Sequence, residues 1–384
     1  MRILKIVDAN DRGGVFVCEQ QVIGELQKRS IRVDLVILGT GVNLKEYEKL
    51  CCTAYLIPLL DTNYSGSFKK IMHAILKTYR FGSKYSTYLK EHIGPEIHYD
   101  AIIYQRPIYI HLAGMLAKLL KATCLWHLPN VARTSFSRNY YNYFCRKYNI
   151  IQLANSSYSK KSLGAQCIHV VYPGFDKARV GESAPTFRDE LNLNLGAPVY
   201  GIAARMHKDK AQDLIVDAFV NSTIPGAGGH LLVAGGPLDS GFAKKVQQQA
   251  GALLNKQIHF LGDVKDMPAF YASVDVVING RRNVEPFGIS IAEAMGAGKP
   301  VVAYKLGGPA EMIKQNVTGW LVDKPTKEEF TKAFDLSMVN KNRWKEMGRC
   351  AVEDSTAFSI EHNVDKLLKV INTNCHQSFV DTIA

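Results

Sequence analysis

The chain has 384 residues, 47% of them apolar and 10% aromatic, a composition that excludes a disordered or fibrous polymer and a length that favours two domains over one. Its formal net charge of +12 is uneven: residues 1–180 hold 25 Lys and Arg against 12 Asp and Glu, a net +13, whereas residues 181–384 hold 22 against 23. No run of 18 or more apolar residues is free of charge, since the nearest, 112–126, is broken by Lys118 and Lys121, and this argues against a spanning helix.

The basic half implies an anionic partner (membrane lipid, a phosphorylated acceptor or nucleic acid), with a diffuse excess for solubility as the plainer alternative. The opening residues, Met1 to Asp8, are too short and too charged for a signal peptide and predict a chain that stays in the cytosol. The eight cysteines follow neither a Cys-x-x-Cys nor a zinc-ligand spacing, and are expected as small buried apolar residues.

In chain order, apolar runs of strand length alternate with stretches of helical period. The first half places strands at 3–7, 33–37, 101–104, 123–126 and 150–153. The second places them at 199–203, 230–234, 258–260, 274–278 and 300–303. Each run is followed by Gly, Pro or polar residues and then by an amphipathic segment, the pattern of a parallel sheet covered by helices on both faces, occurring twice. The predicted fold class is α/β, with two Rossmann-like doubly wound domains. The N-terminal one spans 1–180 and the C-terminal one 181–359, with the last helical stretch, 360–384, able to join either. Turn residues at Tyr172-Pro173-Gly174 and the polar stretch up to Pro198 mark the linker. Ligands of such sheets bind beyond the carboxyl ends of the strands, at the switch point, and two such edges facing each other would enclose a deep cleft.

Several strand ends carry chemistry. The first strand runs into Gly13-Gly14, a pair that lets a helix N-terminus approach a phosphate or sugar, although a routine turn uses it too. His127 follows the strand at 123–126 and could exchange a hydrogen bond with a sugar hydroxyl or stabilise charge near an anomeric carbon; a lone His is also a common structural residue. Arg205 and Lys210 stand five apart between strand 199–203 and a helix over 213–219. A guanidinium fork and an ammonium point charge suit a diphosphate, whereas Lys208 reads as solvated. Gly235-Gly236-Pro237 permits close backbone approach to a ligand, or a plain tight turn, and Leu306-Gly307-Gly308-Pro309 makes another corner rich in backbone donors.

The most informative segment is Glu285-Pro286-Phe287-Gly288-Ile289, continuing to Glu293. Glu285 lies in a loop, where it can accept hydrogen bonds from sugar hydroxyls. Glu293, eight positions on, is carried by a helix and can accept two from a ribose diol. The free N–H groups of the first turn between them suit an anionic diphosphate.

Taken in order, Arg205 with Lys210, Gly235-Gly236-Pro237, Phe260-Leu261-Gly262 with Asp266-Met267-Pro268 and Tyr271, Asp275, and Glu285-Pro286-Phe287-Gly288 with Glu293-Ala294-Met295-Gly296 and Gly298-Lys299-Pro300-Val301 resemble the retaining glycosyltransferases of family four, which have the GT-B fold. The likeness covers most of 198–323. It is looser in the first half, where Gly13-Gly14, His127, Asn155-Ser156 and Tyr172-Pro173-Gly174 carry it. The resemblance implies that Arg205 and Lys210 hold a donor diphosphate, Glu285 contacts the transferred sugar, Glu293 the ribose hydroxyls, His127 the sugar near the reacting carbon, and Gly14 the diphosphate by its backbone. It implies transfer with retention by front-face attack, the leaving phosphate helping to deprotonate the acceptor. It also implies no divalent metal, and the chain has no Asp-x-Asp triplet. Ala211 stands where the family commonly has Gly after the Lys.

The acceptor belongs by this resemblance to the N-terminal half. Residues 64–92 interleave Lys69, Lys70, Lys77, Arg80, Lys84 and Lys90 with Phe68, Ile71, Met72, Ile75, Leu76, Tyr79, Phe81, Tyr85 and Tyr88. Ile71, Ile75 (or Leu76) and Tyr79 are read as one helical face of an interfacial helix on anionic lipid, or else as the packed face of an ordinary amphipathic helix. Arg133 to Tyr148 has the same character. The expected enzyme is peripheral on the cytoplasmic face of the membrane. It moves a hexose-type sugar from a UDP-sugar, or a GDP-sugar, to an oligosaccharide or lipid-linked acceptor in polysaccharide, lipopolysaccharide or glycolipid assembly. Two other classes compete. A GT-B relative such as a sugar-nucleotide epimerase or phosphorylase is disfavoured by the Glu285/Glu293 and Arg205/Lys210 pairs. A basic nucleic-acid-binding protein is disfavoured by the lack of any binding module.

Overall fold

The computed structural model describes residues 1–11, 13–62, 64, 66–132, 134–164, 169–181, 186–194 and 196–380. The chain divides into two compact units, one of Met1–Pro173 with the segment from Ile360 onward, the other of Gly174–Ser359.

The first unit runs β1 (Arg2–Asp8), α1 (Gly14–Lys28), β2 (Arg32–Leu38), α2 (Leu44–Leu50), β3 (Ala54–Ile57), α3 (Phe68–His92), β4 (Ala101–Tyr104), α4 (Ile110–Leu120), β5 (Thr123–Leu128), α5 (Ser135–Tyr148), β6 (Ile150–Ala154), α6 (Ser157–Leu163) and β7 (His169–Val170). The second runs α7 (Phe187–Glu190), β8 (Val199–Ala203), α8 (Gln212–Val220), β9 (His230–Ala234), α9 (Gly241–Gln249), β10 (Ile258–Gly262), α10 (Met267–Ser273), β11 (Val276–Asn279), α11 (Ile289–Gly296), β12 (Val301–Tyr304), α12 (Pro309–Met312), β13 (Gly319–Val322), α13 (Lys327–Val339) and α14 (Trp344–Ser355). The chain then returns to the first unit as α15 (Ile360–Val380).

Among the described residues the first sheet has strand order β3-β2-β1-β4-β5-β6-β7 and the second β10-β9-β8-β11-β12-β13. All pairings within both are parallel. In each the chain steps outward from its first strand, then returns to that strand's other side, so the switch points fall between β1 and β4 and between β8 and β11. The strands are near-continuous apolar runs because both faces are covered: Ile3, Leu4, Ile6 and Val7 are buried, as are Tyr200, Ile202, Leu231 and Val233. Two lines of α/β architecture thus follow from one sequence pattern repeated.

The last helix settles on the first unit. Ile360, Val364, Leu367 and Ile371, at helical spacing, are buried with Val22, Ile23 and Leu26 of α1. Arg29 closes the contact by donating to the Glu361 carbonyl at 2.9 Å and pairing with Asp365. Residues 174–181, read from the sequence as the end of the first half and the linker, pack in the second unit. Phe175 is buried, its amide donates to the Phe358 carbonyl at 3.0 Å, and Gly296 leaves it room, since a Cβ there would stand 2.4 Å from its ring.

Cys18, Cys124 and Cys145 are buried, the expectation for small apolar residues, but Cys52 is exposed at the turn before β3. Among the described residues no helix is long and apolar enough to cross a membrane.

Candidate functional site

The loop leaving β8 carries Arg205 and Lys210. Buried Gln212 at the start of α8 donates from Nε2 to the carbonyls of Ala204 and Arg205, at 3.1 and 2.8 Å, and the Met206 amide donates to the Gly236 carbonyl at 2.8 Å. The loop backbone is therefore fixed. Arg205 is exposed, and its side chain makes no ion pair or hydrogen bond among the described residues. Lys210 ends a short 3-10 turn, Lys208–Lys210, and Ala211 follows in the left-handed region at φ 55°. That conformation is the physical reason a Gly suits the position.

Glu285 lies in the connection from β11 to α11, and the loop after β12 clamps it. The Glu285 amide donates to the Leu306 carbonyl at 3.2 Å, and the Gly308 amide donates to the Glu285 carbonyl at 2.8 Å. A Cβ on Gly307 would stand 2.2 Å from the Glu285 carbonyl oxygen, and one on Gly308 1.9 Å from that of Phe287, so only glycines permit this approach. The Glu285 side chain is buried, with Oε2 3.2 Å from Lys210 Nζ and 3.3 Å from Arg281 Nη1. Next to it Arg282 makes a fork-to-carboxylate pair with Asp213, both N···O distances 2.9 Å. Pro286 and Phe287 lead to Gly288 at φ 99°, which opens α11. The first intrahelical bonds come from the Ile291 and Ala292 amides, so those of Ile289 and Ser290 lie ahead of them.

Glu293, one turn into α11, is more enclosed than the sequence suggests. Arg179 Nε stands 2.6 Å from its Oε1, and the Tyr271 hydroxyl donates to its Oε2 at 2.9 Å. Burial, and then the Glu293 charge, push the Tyr271 phenol well above its ordinary value, so it stays a neutral donor. Arg179 and Arg281 carry this geometry and were not singled out from the sequence. Arg179 is 114 residues from its partner, in turn-rich residues with no local pattern. Arg281 does carry a signal, four residues before Glu285.

Gly235 and Gly236 serve the protein's own backbone. A Cβ on Gly235, at φ 132°, would stand 2.0 Å from the Ala204 carbonyl oxygen. The Gly235 amide donates to the Gly262 carbonyl at 2.6 Å, and that of Gly236 to Asp263 Oδ1 at 2.8 Å. In this conformation neither amide is open to a ligand, so the close approach read there is to the end of β8.

Gly13, Gly14 and His127 belong to the first unit, at the carboxyl edge of its sheet. Gly13, at φ 59°, precedes α1. Beside the pair lie two carboxylates and an arginine. Arg106 Nη1 is 3.0 Å from Asp8 Oδ2, and its Nη2 is 2.6 Å from Asp11 Oδ1. Burial raises the Asp11 carboxyl, with Asp8 adding to the shift and Arg106 opposing it. His127 is within β5 rather than after it, and buried; its Nε2 donates to the Val171 carbonyl at 2.7 Å. Burial, with Lys5 adding to it, pushes its pKa down to about 4, so the ring is neutral, and its Nδ1 has no hydrogen bond among the described residues.

On the same unit, α3 divides its apolar residues otherwise than the sequence reading has it. Ala74 and Thr78 are buried and Ile71 and Ile75 half-buried, whereas Met72, Leu76 and Tyr79 are exposed beside Lys69, Lys77, Arg80 and Lys84. On α5, Tyr141, Cys145 and Tyr148 are buried while Phe136 and Tyr143 are exposed. Arg133 and the Phe68 side chain lie outside the described residues.

Two parallel, helix-covered sheets in sequence define an α/β protein of the GT-B class, and comparison with known proteins bears this out. HepE from Anabaena, solved in complex with UDP and glucose, superposes with a TM-score of 0.78 at 20% identity, covering 97% of this chain and all of that one. At that identity the likeness is one of fold. Residues 183–353 match the family described as glycosyl transferases group 1. Among curated relatives, a D-inositol 3-phosphate glycosyltransferase of Mycolicibacterium gilvum is 32% identical over 208 residues, 52% of this chain and 45% of that protein. The one from Nocardia farcinica is 29% identical over 211 residues, 53% and 46%. The chain spans about half the length of the curated relatives it matches.

Proposed function

We propose that the protein is a metal-independent, retaining glycosyltransferase. It moves a hexose-type sugar from a nucleotide-diphosphate donor, a UDP-sugar ahead of a GDP-sugar, to a lipid-linked glycan in cell-surface polysaccharide or glycolipid assembly. The observation that carries this reading is the charge at the β8/β11 switch point. A buried Glu285 is already paired with Lys210, and an exposed Arg205 beside them has no partner among the described residues. A diphosphate supplies the missing counter-charge. UDP stands ahead of GDP because HepE, of the same fold, binds it.

On this reading Arg205 grips the diphosphate as a fork and Lys210 as a point charge, and the amides ahead of α11 face the same anion. These cations supply the charge that a divalent metal supplies elsewhere. Glu285 accepts from a sugar hydroxyl through Oε1, and Glu293 accepts from the ribose diol through the lone pairs that Arg179 and Tyr271 leave. The bond from the anomeric carbon to the phosphate oxygen breaks as one to the acceptor oxygen forms on the same face, and the acceptor's proton passes to the leaving phosphate. The roles that the family resemblance gives to Gly14 and to neutral His127 are part of the same proposal.

The exposed Met72, Leu76 and Tyr79, flanked by four cations, fit an anionic membrane surface at the cytoplasmic face, each Lys or Arg there contributing about 1 kcal/mol. Two experiments test the proposal. Thermal stabilisation by UDP or GDP, with free nucleotide released only when a glycan acceptor is added, supports transfer; release that does not depend on acceptor refutes it. Flotation with anionic but not neutral liposomes supports the membrane part, and failure to float with either removes it.

A further inference from the structure

Glu285 is held in an unusual way. Its side chain is 9% exposed, and both neighbouring cations approach one oxygen, Oε2, while Oε1 accepts no hydrogen bond among the described residues. One cation would suffice to neutralise it. The two differ in what else they can do. Lys210 sits on the loop that carries unpaired Arg205, on a flexible stem, and is well placed to turn to an arriving anion. Arg281 lies in the Glu285 connection itself. Its side chain is 19% exposed, and its Nε is a buried donor without a partner.

We propose that Arg281 is a positioning residue that takes over Glu285 when Lys210 turns to the donor diphosphate. The inference rests on the donor-site reading above. Drawing Lys210 away would otherwise strand a buried carboxylate, a state that opposes binding. Arg281 removes that obstacle, and by turning its guanidinium once the lysine has left it can bring the idle Nε–H, with Nη2 beside it, onto the carboxylate as a side-on fork. Oε1 then stays charged and presented to the sugar. The orphaned donor, the doubled cation on one oxygen and the bare Oε1 are three aspects of one exchange.

Calorimetric titration of the full chain with UDP and with GDP tests this, using whichever binds the wild type. Arg281→Gln is expected to weaken that nucleotide by about ten- to a hundredfold and to leave binding of the bare nucleoside unchanged. Arg281→Lys, which restores the charge without the fork, is expected to recover most of the loss and carries the test if the Gln variant does not fold. The decisive arm is Glu285→Gln placed in the Arg281→Gln background. With no carboxylate left to strand, affinity returns to within about threefold of the Glu285→Gln single variant. If the double variant stays as weak as Arg281→Gln, or if Arg281→Gln binds like wild type, the exchange is overturned while the donor-site reading stands. If neither nucleotide binds the wild type, both fall.

Discussion

The two switch points share a topology and differ in the polarity of their charge. At the end of β1 and just beyond it stand two carboxylates, Asp8 and Asp11, and after the neighbouring β4 comes Arg106. After β8 come two cations, Arg205 and Lys210, and after the neighbouring β11 comes Glu285. In the first unit the charges close on themselves. Asp8 accepts from the Asn10 amide, the Tyr109 hydroxyl and Arg106, and Asp11 from Arg106, the Asp8 amide and the Tyr47 hydroxyl. In the second, Arg205, Lys210 and Arg281 outnumber Glu285, and Arg205 is left over. The fold offers a crevice in both places, but only a surplus of unpaired charge at one of them calls for an ionic ligand. Net charge alone misleads on this point, because the strongly basic half of the sequence has the acidic, self-satisfied switch point, and its cations lie elsewhere, along α3.

The sharpest way to break the comparison is to remove the surplus. Lys210→Ala or Glu285→Ala is expected to lower transfer by about a hundred- to a thousandfold, the scale of a lost charge-stabilising group, with thermal midpoints near that of the wild type. Acceptor-dependent nucleotide release measures it, and wild-type turnover in either variant would take the site away from the second unit.

A second difference appears on acidification. His127 and His111, both in the first unit, are pushed by burial to pKa values of about 4, below the roughly 6.5 of an unfolded chain. A neutral buried imidazole contributes stability that is present above the unfolded pKa and is lost as pH falls from there toward the folded value, because the unfolded state takes up the proton first. For His127 the loss amounts to about 3 kcal/mol across that window. Raised Asp11 works in the opposite direction. Urea unfolding at pH 7.5 and 4.5 should show the first unit losing more stability than it does with His127→Gln; equal slopes would mean that His127 is not buried neutral.

Cutting the first unit's charge closure should be smaller still and should not touch the nucleotide. Arg106→Ala leaves two buried carboxylates short of a cation, and with the guanidinium partly exposed the expected cost is about 1–2 kcal/mol. Nucleotide affinity should stay within about threefold of wild type. A large loss of affinity would show that the acidic switch point, too, serves the ligand.

Much of this was legible beforehand, for identifiable reasons. The central strands are long apolar runs, and strong periodicity survives without tertiary information. The strands that escaped notice, β3 (Ala54–Ile57), β7 (His169–Val170) and β13 (Gly319–Val322), are two to four residues long and lie at the edges of their sheets, short pieces that periodicity does not separate from loop. Glu285 and Lys210 could be named because each lies at a strand end flanked by turn residues; their meeting at 3.2 Å is a property of two neighbouring strands. Arg179 could not be named, since its pairing with Glu293 is made only when the opening segment of the second unit packs on α11. Gly235-Gly236 shows the converse. A glycine pair announces a close approach but not to what, and here the neighbour is the protein's own β8.

The smallest expected effect is at Ala211, where the family that the sequence resembles commonly has a glycine. The residue is left-handed and completely buried. Left-handed backbone costs an L-residue about 1–2 kcal/mol, and glycine would remove that strain. Against it stand the buried methyl, worth about 0.8 kcal/mol, and the about 0.4–1 kcal/mol by which glycine loosens the unfolded chain. The terms nearly cancel, so Ala211→Gly should change stability by less than about 0.5 kcal/mol, readable as an almost unchanged urea midpoint. Any clear effect should instead fall on nucleotide affinity, because Ala211 is the joint between the Lys210 turn and α8, and freeing it changes how readily Lys210 can turn toward an anion. A stability change well above that bound would mean that the strain at this joint is relieved or held by packing that the balance omits; a neutral stability with altered affinity would place the cost of the alanine on the loop that carries the second unit's surplus charge.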